Sequence, residues 1–304
     1  MSDVRRRDRP AGLGGLVSAI RELRGIGQYL DRPPEAYKAE ARRHWSAVPC
    51  GTDAALGARH TGAYFEEIEH HRYLTQPWTA EAIDAFDVAG RRVLEVGFGA
   101  GTDHLRFARR GAHLTGVDLT PQNFVETGRR FAHAGERARL AVADMEALPF
   151  RDAAFDLAYS FGVVHHAPGI DAALGELRRV LAPGGRAWIA VYHRRSVFFW
   201  WSVLAFRFLL RGGYRRRSLR AQLSLVEHPN TNEGLVVRLH SRREIEARFV
   251  SAGFARVRTR VTHLVPADVA VLDRLVEHPE RPRWWLSWLG RFWGWYVVVE
   301  AERP

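Results

Sequence analysis

The segment best suited to chemistry is a glycine-rich loop that follows an apolar run. Gly97, Gly99 and Gly101 occupy alternate positions directly after residues 93–96. Glycine is favoured where a backbone turns sharply or where a ligand must lie against main-chain atoms. A helix that begins just after the loop would add unpaired N–H groups and a partial positive charge at its N-terminus. The loop is therefore predicted to hold a ligand against its backbone at the end of a strand.

The spacing of these glycines distinguishes the loop from two common phosphate-binding loops. A dinucleotide-binding loop has the pattern Gly-x-Gly-x-x-Gly, but Thr102 stands at the third glycine position and the glycine comes one residue earlier. The Gly-Lys-Ser/Thr ending of a P-loop is also absent. These departures argue against a nicotinamide or flavin pyrophosphate site and against a P-loop.

Two acidic residues follow the next two predicted strands. Asp118 lies 17 residues after Gly101 at the end of the second strand, where a carboxylate can accept hydrogen bonds from both hydroxyls of a ribose. Alone it could equally cap a helix that starts near Pro121, but beside a glycine loop the ribose interpretation is favoured. Asp144 ends the third strand, where it can accept from an exocyclic amine, and Met145 offers an apolar face to a purine ring.

The elements that must position these residues are predicted from short β-branched runs that alternate with helical patterns, which is typical of a parallel α/β sheet. Strands are predicted at 92–96, 113–117, 138–142, 155–160, 186–192, 255–263 and 296–301. Helices are predicted at 101–110, 121–133, 170–181 and 241–252. The last of these helices begins with a capping box, since Ser241 is followed three residues later by Glu244.

The composition divides the chain into five segments. They are a basic N-terminal tail or amphipathic helix at 1–35, a helical lid at 36–88, an α/β core at 89–193, an aromatic and basic insertion at 194–240, and completion of the core at 241–304 with a second insertion at about 264–292. Cys50 is the only cysteine, which excludes an internal disulfide and a multi-cysteine metal centre. The scattered histidines lack the spacing of metal ligands, so no metal site is expected.

In order and spacing, the glycine loop, Asp118, the Asp144–Met145 pair and the Pro183-Gly184-Gly185 turn resemble one family. It comprises the class I S-adenosylmethionine-dependent methyltransferases of the ubiquinone/menaquinone-methylase-like group, or methyltransferase type 11. The resemblance covers residues 85–193 by motif and 241–301 by the pattern of predicted elements. It implies an α/β fold with a Rossmann-like, seven-stranded, mostly parallel sheet, helices on both faces and one antiparallel strand near the edge. The N-terminal helical lid and helical insertions after strands 5 and 6 would be added to this core.

The same resemblance implies S-adenosylmethionine as the cofactor and assigns side chains to it. Its methionine part would lie against Glu95 and the loop residues Gly97, Phe98, Gly99 and Gly101. Asp118 would bind the ribose, and Leu119, Asp144 and Met145 would contact the adenine. Ser160 and Phe161 would line the channel of the methyl donor.

A general base is needed only if the acceptor nucleophile carries a proton. Methyl transfer is an in-line displacement at carbon, in which alignment can supply up to roughly 7–11 kcal/mol and a base a further ~10²–10⁴-fold. The resemblance places His165 near the sulfonium and the acceptor. Tyr192 and His193 come next, because ligands of open α/β sheets bind beyond the carboxyl ends of the strands. His166 and the pair at 70–71 are further candidates, and each of these histidines could instead be a packed structural residue.

The net charge and the two insertions bear on the acceptor. A charge of +11, from 45 Lys+Arg against 34 Asp+Glu, favours an anionic partner such as nucleic acid or a phospholipid surface, although it could equally reflect a bias toward arginine. Residues 197–210 are almost wholly apolar, arginines follow up to residue 220, and tryptophans recur at 281–293. We hypothesise that 197–220 and 281–293 cap an apolar acceptor and contact a membrane surface. Packing into a helical subdomain or a dimer interface is the alternative.

Together these residues predict an enzyme that transfers a methyl group from S-adenosylmethionine to an apolar small molecule, such as a quinone, a lipid or a natural-product intermediate. The charge suggests an RNA methyltransferase as the alternative, but no appended RNA-binding module is recognisable, so a nucleic-acid partner is not expected. The intact glycine loop and Asp118 argue against a further alternative, a non-catalytic scaffold protein with a cofactor fold. No stretch reaches the ~20 apolar residues of a membrane span, so a cytoplasmic location with peripheral membrane contact is predicted.

Overall fold

The centre of the fold is a single twisted sheet. The structure, a computed structural model, describes residue 23 and residues 32–47, 49–225 and 235–304. Their strands are β1 (Arg92–Val96), β2 (His113–Asp118), β3 (Leu140–Val142), β4 (Phe155–Phe161), β5 (Leu181–Tyr192), β6 (Ala255–Thr262) and β7 (Tyr296–Glu302). They form one sheet in the order β3-β2-β1-β4-β5-β7-β6, with β7 antiparallel between β5 and β6. The seven-stranded, mostly parallel sheet is thereby confirmed, including its antiparallel strand near the edge.

Helices precede the sheet and connect its strands. The helices before the sheet are α1 (Pro34–Ala47), α2 (Gly62–Thr75) and α3 (Pro77–Ala85). The connecting helices are α4 (Thr102–Arg109), α5 (Pro121–His133), α6 (Ile170–Val180), the π helix π1 (Phe198–Leu210), α7 (Leu219–Ser224), α8 (Arg242–Ser251) and α9 (Trp284–Trp293). The predicted capping box at the start of α8 is present, since the side chain of Ser241 accepts from the Glu244 N–H and the Glu244 carboxylate accepts from the Ser241 N–H.

The element boundaries lie close to those predicted, with two larger differences in the strands. β5 begins at Leu181 rather than at residue 186, because Leu181 already pairs with Phe155 before an irregularity in the ladder. β3 is shorter than predicted and pairs only with β2, through three residues of each strand. The prediction for residues 1–35 falls, apart from residues 23 and 32–35, outside the residues that the structure describes.

Apolar side chains fill both faces of the sheet, as expected for strands that are covered by helices on each side. On one face Trp78 of α3 packs against Trp188 of β5 and Tyr296 of β7, with ring centroids 6.0 and 5.5 Å apart. On the other face Leu174 of α6 and Phe249 of α8 belong to a fully buried cluster with the inner strands. The segment predicted as a helical lid is helical. Its last helix, α3, packs Trp78 and Ile83 into the core under the sheet.

The two predicted insertions are present and contact each other. The Ser202 hydroxyl of π1 donates to the Asp268 carbonyl at 2.6 Å and accepts from the Ala270 N–H at 2.7 Å. The indole N–H of Trp201 donates to the Ala270 carbonyl at 3.0 Å. The insertion after β5 and the insertion after β6 therefore form one helical unit. Within the described ranges no helix combines the length and the apolar character needed to cross a bilayer.

Candidate functional site

The candidate site is a cavity of about 320 Å³ at the carboxyl ends of the parallel strands. Its walls come from the segments that follow β1, β2, β3 and β4, namely 95–100, 117–120, 143–146 and 161–163. From β1 the chain continues to β2 and β3 on one side and then crosses to β4 on the other side of β1. Open α/β sheets bind ligands in the crevice at such a reversal of strand order. Side chains of α1 and α2 complete the wall opposite the strands.

The glycine loop after β1 can be built only from glycine at two positions. Gly97 has φ +80° and Gly101 has φ +75°, the left-handed region that other residues rarely adopt. A Cβ atom on Gly97 would collide with Val163, and one on Gly101 would collide with Thr127. Gly97, Phe98 and Gly99 line the cavity as predicted, whereas Gly101 does not and forms the turn into α4. At Gly99 a Cβ atom would meet only the Cys50 side chain, at 3.7 Å, so a ligand can approach the loop backbone closely there.

Asp118 lies beside this loop at the end of β2 and lines the cavity. Its Oδ2 accepts from the Gly99 N–H at 3.1 Å, and its Oδ1 accepts from the Thr120 N–H at 2.9 Å. Burial raises the pKa of Asp118, and the hydrogen bonds from Thr120, Asn123 and Gly99 oppose that rise. The carboxylate therefore fixes the loop and still presents its oxygens to the cavity. The ribose assignment remains a prediction that this placement supports.

The chain's single lysine closes the cavity at the Asp144 end. Lys38 of α1 is 8% exposed, and its Nζ lies 2.7 Å from Asp144 Oδ2 and 2.9 Å from Glu146 Oε2. Burial alone would lower the pKa of Lys38, but the hydrogen bonds to the two carboxylates outweigh it and raise the pKa. Glu146 Oε1 also accepts from the Gly169 N–H at 2.6 Å. Lys38 thus joins the N-terminal helix to the loops after β3 and β4.

We expect Lys38→Met to lower the free energy of unfolding by about 2 kcal/mol, because it leaves two largely buried carboxylates without their cation. Lys38→Arg should retain most of the stability. Urea denaturation measures the effect. Arg42→Met on the same helix is the matched control, since Arg42 is an exposed cation and a surface charge contributes little to stability. Equal unfolding free energies for Lys38→Met and the wild type would contradict the prediction.

A buried acid–imidazole pair lies beneath the loop. Glu95 at the end of β1 lines the cavity, and its Oε2 is 2.7 Å from Nδ1 of His104 on α4. Burial raises the pKa of Glu95 well above its ordinary range and lowers the pKa of His104 to about 3. Both shifts favour the uncharged form of each side chain, with the shared proton between them. A cation bound next to Glu95 would shift this balance toward the carboxylate.

The opposite end of the cavity is aromatic. Phe161, Tyr192 and Tyr296 line it, and the Tyr296 ring centroid lies 5.0 Å from that of Phe161 and 5.4 Å from that of Tyr192. The guanidinium of Arg72 on α2 stacks 3.9 Å from the Phe161 centroid and is fixed by Asp103. This end can bind a flat or greasy group, and Arg72 brings a positive charge to the boundary between the two ends.

Of the three bases predicted first, His165, Tyr192 and His193, the structure brings only Tyr192 to the cavity. His165 lies outside the lining, is fully buried, and packs on Tyr192 with ring centroids 3.9 Å apart. Burial, and then the neighbouring His166, His240 and Arg238, lower the pKa of His165 well below its ordinary range. His193 is also buried outside the lining, where its Nδ1 is 3.0 Å from the Gly294 carbonyl. The placement of His165 and His193 does not support a role as base.

The neighbouring His166 is placed differently from His165. It lines the cavity, and its Nδ1 lies 2.6 Å from the Val236 carbonyl. A carbonyl oxygen can only accept, so Nδ1 carries the proton in the neutral ring and Nε2 is the basic nitrogen. His71, from the other predicted pair, also lines the cavity. Adjacent residues of a tight 3₁₀ turn point in different directions, and the turn Val164–His166 directs only the second histidine to the cavity.

Ser160 also differs from its prediction. It is fully buried, and its hydroxyl donates to the Val96 carbonyl at 2.8 Å, so it ties β4 to β1 instead of lining a channel. The predicted residues that do line the cavity are Glu95, Gly97, Phe98, Gly99, Asp118, Leu119, Asp144, Met145, Phe161 and Tyr192. Lining residues that the sequence did not reveal include Lys38, Trp45, Arg72, Asn123, Glu146 and Tyr296. Of these, only Lys38 carries a sequence signal, its being the sole lysine.

The charge of the cavity is opposite to that of the protein. Its lining contains five acidic side chains, of which burial keeps Glu95 uncharged, and two cations, Lys38 and Arg72. The acidic side chains are Glu95, Asp103, Asp118, Asp144 and Glu146. The whole chain carries a formal charge of +11. An acidic cavity in a basic protein favours a ligand that is cationic or rich in hydrogen-bond donors.

Comparison with known proteins identifies the core. Residues 94–189 match the family model described as a methyltransferase domain. A demethylmenaquinone methyltransferase of Thermus thermophilus is 40% identical over 113 residues, which are 36% of this chain and 51% of that protein. A sterol 4-C-methyltransferase of Caenorhabditis elegans is 37% identical over 95 residues, which are 31% of this chain and 28% of that protein. This chain thus spans about half or less of the length of these curated relatives.

The solved structures agree on the fold. A geranyl diphosphate C-methyltransferase from Streptomyces coelicolor A3(2) superposes with a TM-score of 0.55 at 19% identity, and the match covers 90% of this chain and 100% of that one. At that identity the likeness concerns the fold alone. Residues 94–189 are therefore a methyltransferase domain by that family model, and the sheet that contains them has the Rossmann-like fold of the solved S-adenosylmethionine-dependent methyltransferases.

Proposed function

We propose that this protein transfers the methyl group of S-adenosylmethionine to an apolar small molecule, such as a quinone, a lipid or a natural-product intermediate. The observation that carries the proposal is that one cavity joins an acidic end, at the carboxyl ends of the strands, to an aromatic end. The acidic end suits a cofactor with a cationic amino acid part and an adenosine. The aromatic end suits an apolar acceptor.

The residues present fit the cofactor. Gly99 leaves room against the loop backbone, because its absent Cβ would meet only the Cys50 side chain. Glu95 faces the cavity and can accept from the amino group of the methionine part. Asp118 can accept from the ribose hydroxyls, and Asp144 with Met145 can contact the adenine. Bound there, S-adenosylmethionine would supply a methyl group on a positively charged sulfur. Next to a bound ammonium group, Glu95 would ionise and release its proton to solvent, while His104 would stay neutral.

The named substrates of related proteins support an apolar acceptor. By their names, the two relatives described above act on a sterol and on demethylmenaquinone, and the solved structure with the same fold acts on geranyl diphosphate. All three acceptors carry large hydrocarbon parts. In this chain Phe161, Tyr192 and Tyr296 would hold such a part beside the methyl donor.

The protein's own contribution to the reaction is alignment and exclusion of water. Bound S-adenosylmethionine would supply the methyl carbon to the acceptor nucleophile, and its sulfur would keep the electron pair of the carbon–sulfur bond that breaks. The aromatic wall would hold the acceptor in line with that bond, which can supply up to roughly 7–11 kcal/mol. Where the nucleophile carries a proton, Nε2 of His166 would accept it. Such a general base would raise the rate a further ~10²–10⁴-fold.

Transfer of label tests the proposal. Purified protein is incubated with methyl-labelled S-adenosylmethionine and with separate lipid, quinone and RNA fractions of a lysate. We expect label in the organic extract, and a ~10²-fold or larger loss of rate in His166→Gln if the acceptor carries a proton, with unchanged cofactor binding. Label in RNA alone would establish the alternative function. Tight cofactor binding without label in any fraction would support a non-catalytic protein.

A further inference from the structure

The two insertions carry most of the exposed apolar side chains of the described residues. Eleven of the sixteen exposed large hydrophobic side chains belong to them, including all six exposed tryptophans. Trp284 is 86% exposed, Leu210 71% and Trp288 60%. The full set is Trp200, Trp201, Leu209, Leu210, Val271, Leu275, Trp284, Trp285, Trp288, Phe292 and Trp293, here called the aromatic face. Single exposed apolar residues are ordinary, but such a concentration marks an interaction surface.

The aromatic face is held by one folded unit. Ser202 and Trp201 of π1 bond the backbone of Asp268 and Ala270, so the insertion after β5 is fixed to the start of the insertion after β6. Gly290 of α9 lies against Leu264, directly before that segment. π1 buries Phe199, Val203 and Phe208 in the core and α9 buries Leu286, which leaves the tryptophans outside. The exposed aromatic side chains are therefore presented by anchored helices.

The charge beside the aromatic face indicates its partner. Residues 198–225 contain six arginines and no aspartate or glutamate. Arg207, Arg211, Arg215 and Arg216 are exposed next to the outer side chains of π1. Each arginine at an anionic membrane contributes about fivefold to binding, and tryptophan prefers the boundary between lipid headgroups and acyl chains.

Aromatic contacts lead from the aromatic face to the cavity. Tyr192, which lines the cavity, stacks on Trp295 with ring centroids 4.4 Å apart. Trp295 contacts Phe198 at 4.7 Å, and Phe198 begins the helix that carries Trp200 and Trp201. Ring contacts thus link the aromatic end of the cavity to the start of π1, the helix that carries Trp200 and Trp201.

From these observations we infer that the aromatic face docks on an anionic phospholipid membrane and that an apolar acceptor reaches the cavity from that membrane. Docking follows from the exposed tryptophans and the adjacent arginines. Delivery of the acceptor rests on the proposed function. The partner is the headgroup and upper acyl layer of a bilayer, in which the tryptophans insert while the arginines bind lipid phosphates.

Vesicle flotation with the full-length protein tests docking. Phosphatidylcholine vesicles with and without phosphatidylglycerol are compared, at low and high salt. We expect binding to the vesicles that contain phosphatidylglycerol, weakened by salt. Trp284→Ala combined with Trp288→Ala should weaken binding roughly tenfold or more, and Arg215→Glu combined with Arg216→Glu by at least as much. Phe124→Ala with Val125→Ala removes exposed apolar residues elsewhere and should leave binding unchanged.

Any other outcome of the flotation experiment contradicts docking. No flotation of the wild type, or equal flotation with both kinds of vesicle, would exclude an anionic membrane as the partner. A dimer in light scattering that the two tryptophan substitutions dissolve would assign the aromatic face to contacts between copies. Thermal unfolding of every variant confirms that its fold is retained.

Methyl transfer is measured separately, with the acceptor in detergent. The tryptophan variant should keep this activity and lose activity toward acceptor in vesicles. If the protein floats with the vesicles but methylates acceptor neither in detergent nor in vesicles, docking would stand and the proposed function would be contradicted. Loss of flotation with full activity toward acceptor in vesicles would contradict delivery from the membrane.

Discussion

Asp118→Ala should weaken the binding of S-adenosylmethionine and of S-adenosylhomocysteine by a factor of ~100 or more. Asp118 faces the cavity, and its buried carboxylate can accept two hydrogen bonds from ribose hydroxyls. Hydrogen bonds to a charged group contribute about 1.5–3 kcal/mol each, and two of them account for the expected factor. The same substitution removes the acceptor of the Gly99 N–H, which loosens the loop that must meet the methionine part. Isothermal titration calorimetry measures both dissociation constants.

Two further variants separate the charge of Asp118 from its shape. Asp118→Asn keeps one acceptor oxygen for the Gly99 or Thr120 N–H, so it should weaken binding by only about tenfold. Asp171→Ala removes an exposed carboxylate that pairs with Arg248, and it should leave the dissociation constant unchanged. If Asp118→Ala bound the cofactor as tightly as the wild type, Asp118 would serve the turn into α5 alone, and the ribose assignment would fail.

The fold follows from the sequence because its signals are local. β1 has the predicted bounds, and the helix predicted at 121–133 is α5 (Pro121–His133). Alternation of apolar residues defines such elements within a window of a few residues. The early start of β5 was not predictable in this way, because it depends on pairing with a strand some 26 residues earlier, at Phe155. The π-type pairing of π1 likewise has no local signature in an almost uniformly apolar run.

The residues of the candidate site also divide into those that local sequence signals predict and those that they do not. Glu95, Asp118 and Asp144 could be predicted because each follows a strand whose end must face the crevice. Lys38, Arg72 and Tyr296 reach the cavity from helices and from a strand far along the chain, and only tertiary packing brings them there. The choice between His165 and its neighbour depends on how one 3₁₀ turn is rotated, which a motif position does not determine.

Asp268→Asn should stabilise the protein at pH 8 by up to about 4 kcal/mol. Asp268 is buried at the contact between the two insertions, where its Oδ2 accepts from the Val265 N–H at 2.9 Å. Burial raises the pKa of its carboxyl to about 7, against ~3.9 in an unfolded chain. The native state therefore keeps a proton that the unfolded state loses. This contribution to stability is complete below about pH 4 and is lost as the pH rises to about 7.

An asparagine at position 268 stays neutral throughout and can still accept from the Val265 N–H. The difference in unfolding free energy between variant and wild type should therefore be small near pH 4 and rise by about 1.4 kcal/mol per pH unit toward pH 7. Urea denaturation between pH 5 and pH 8 measures it, with Asp152→Asn, an exposed carboxylate, as the control. A difference that does not change with pH would mean that the Asp268 carboxyl ionises normally. The contact between π1 and the second insertion would then be open to water. The two insertions would be joined less firmly than the hydrogen bonds of Ser202 with Asp268 and Ala270 indicate.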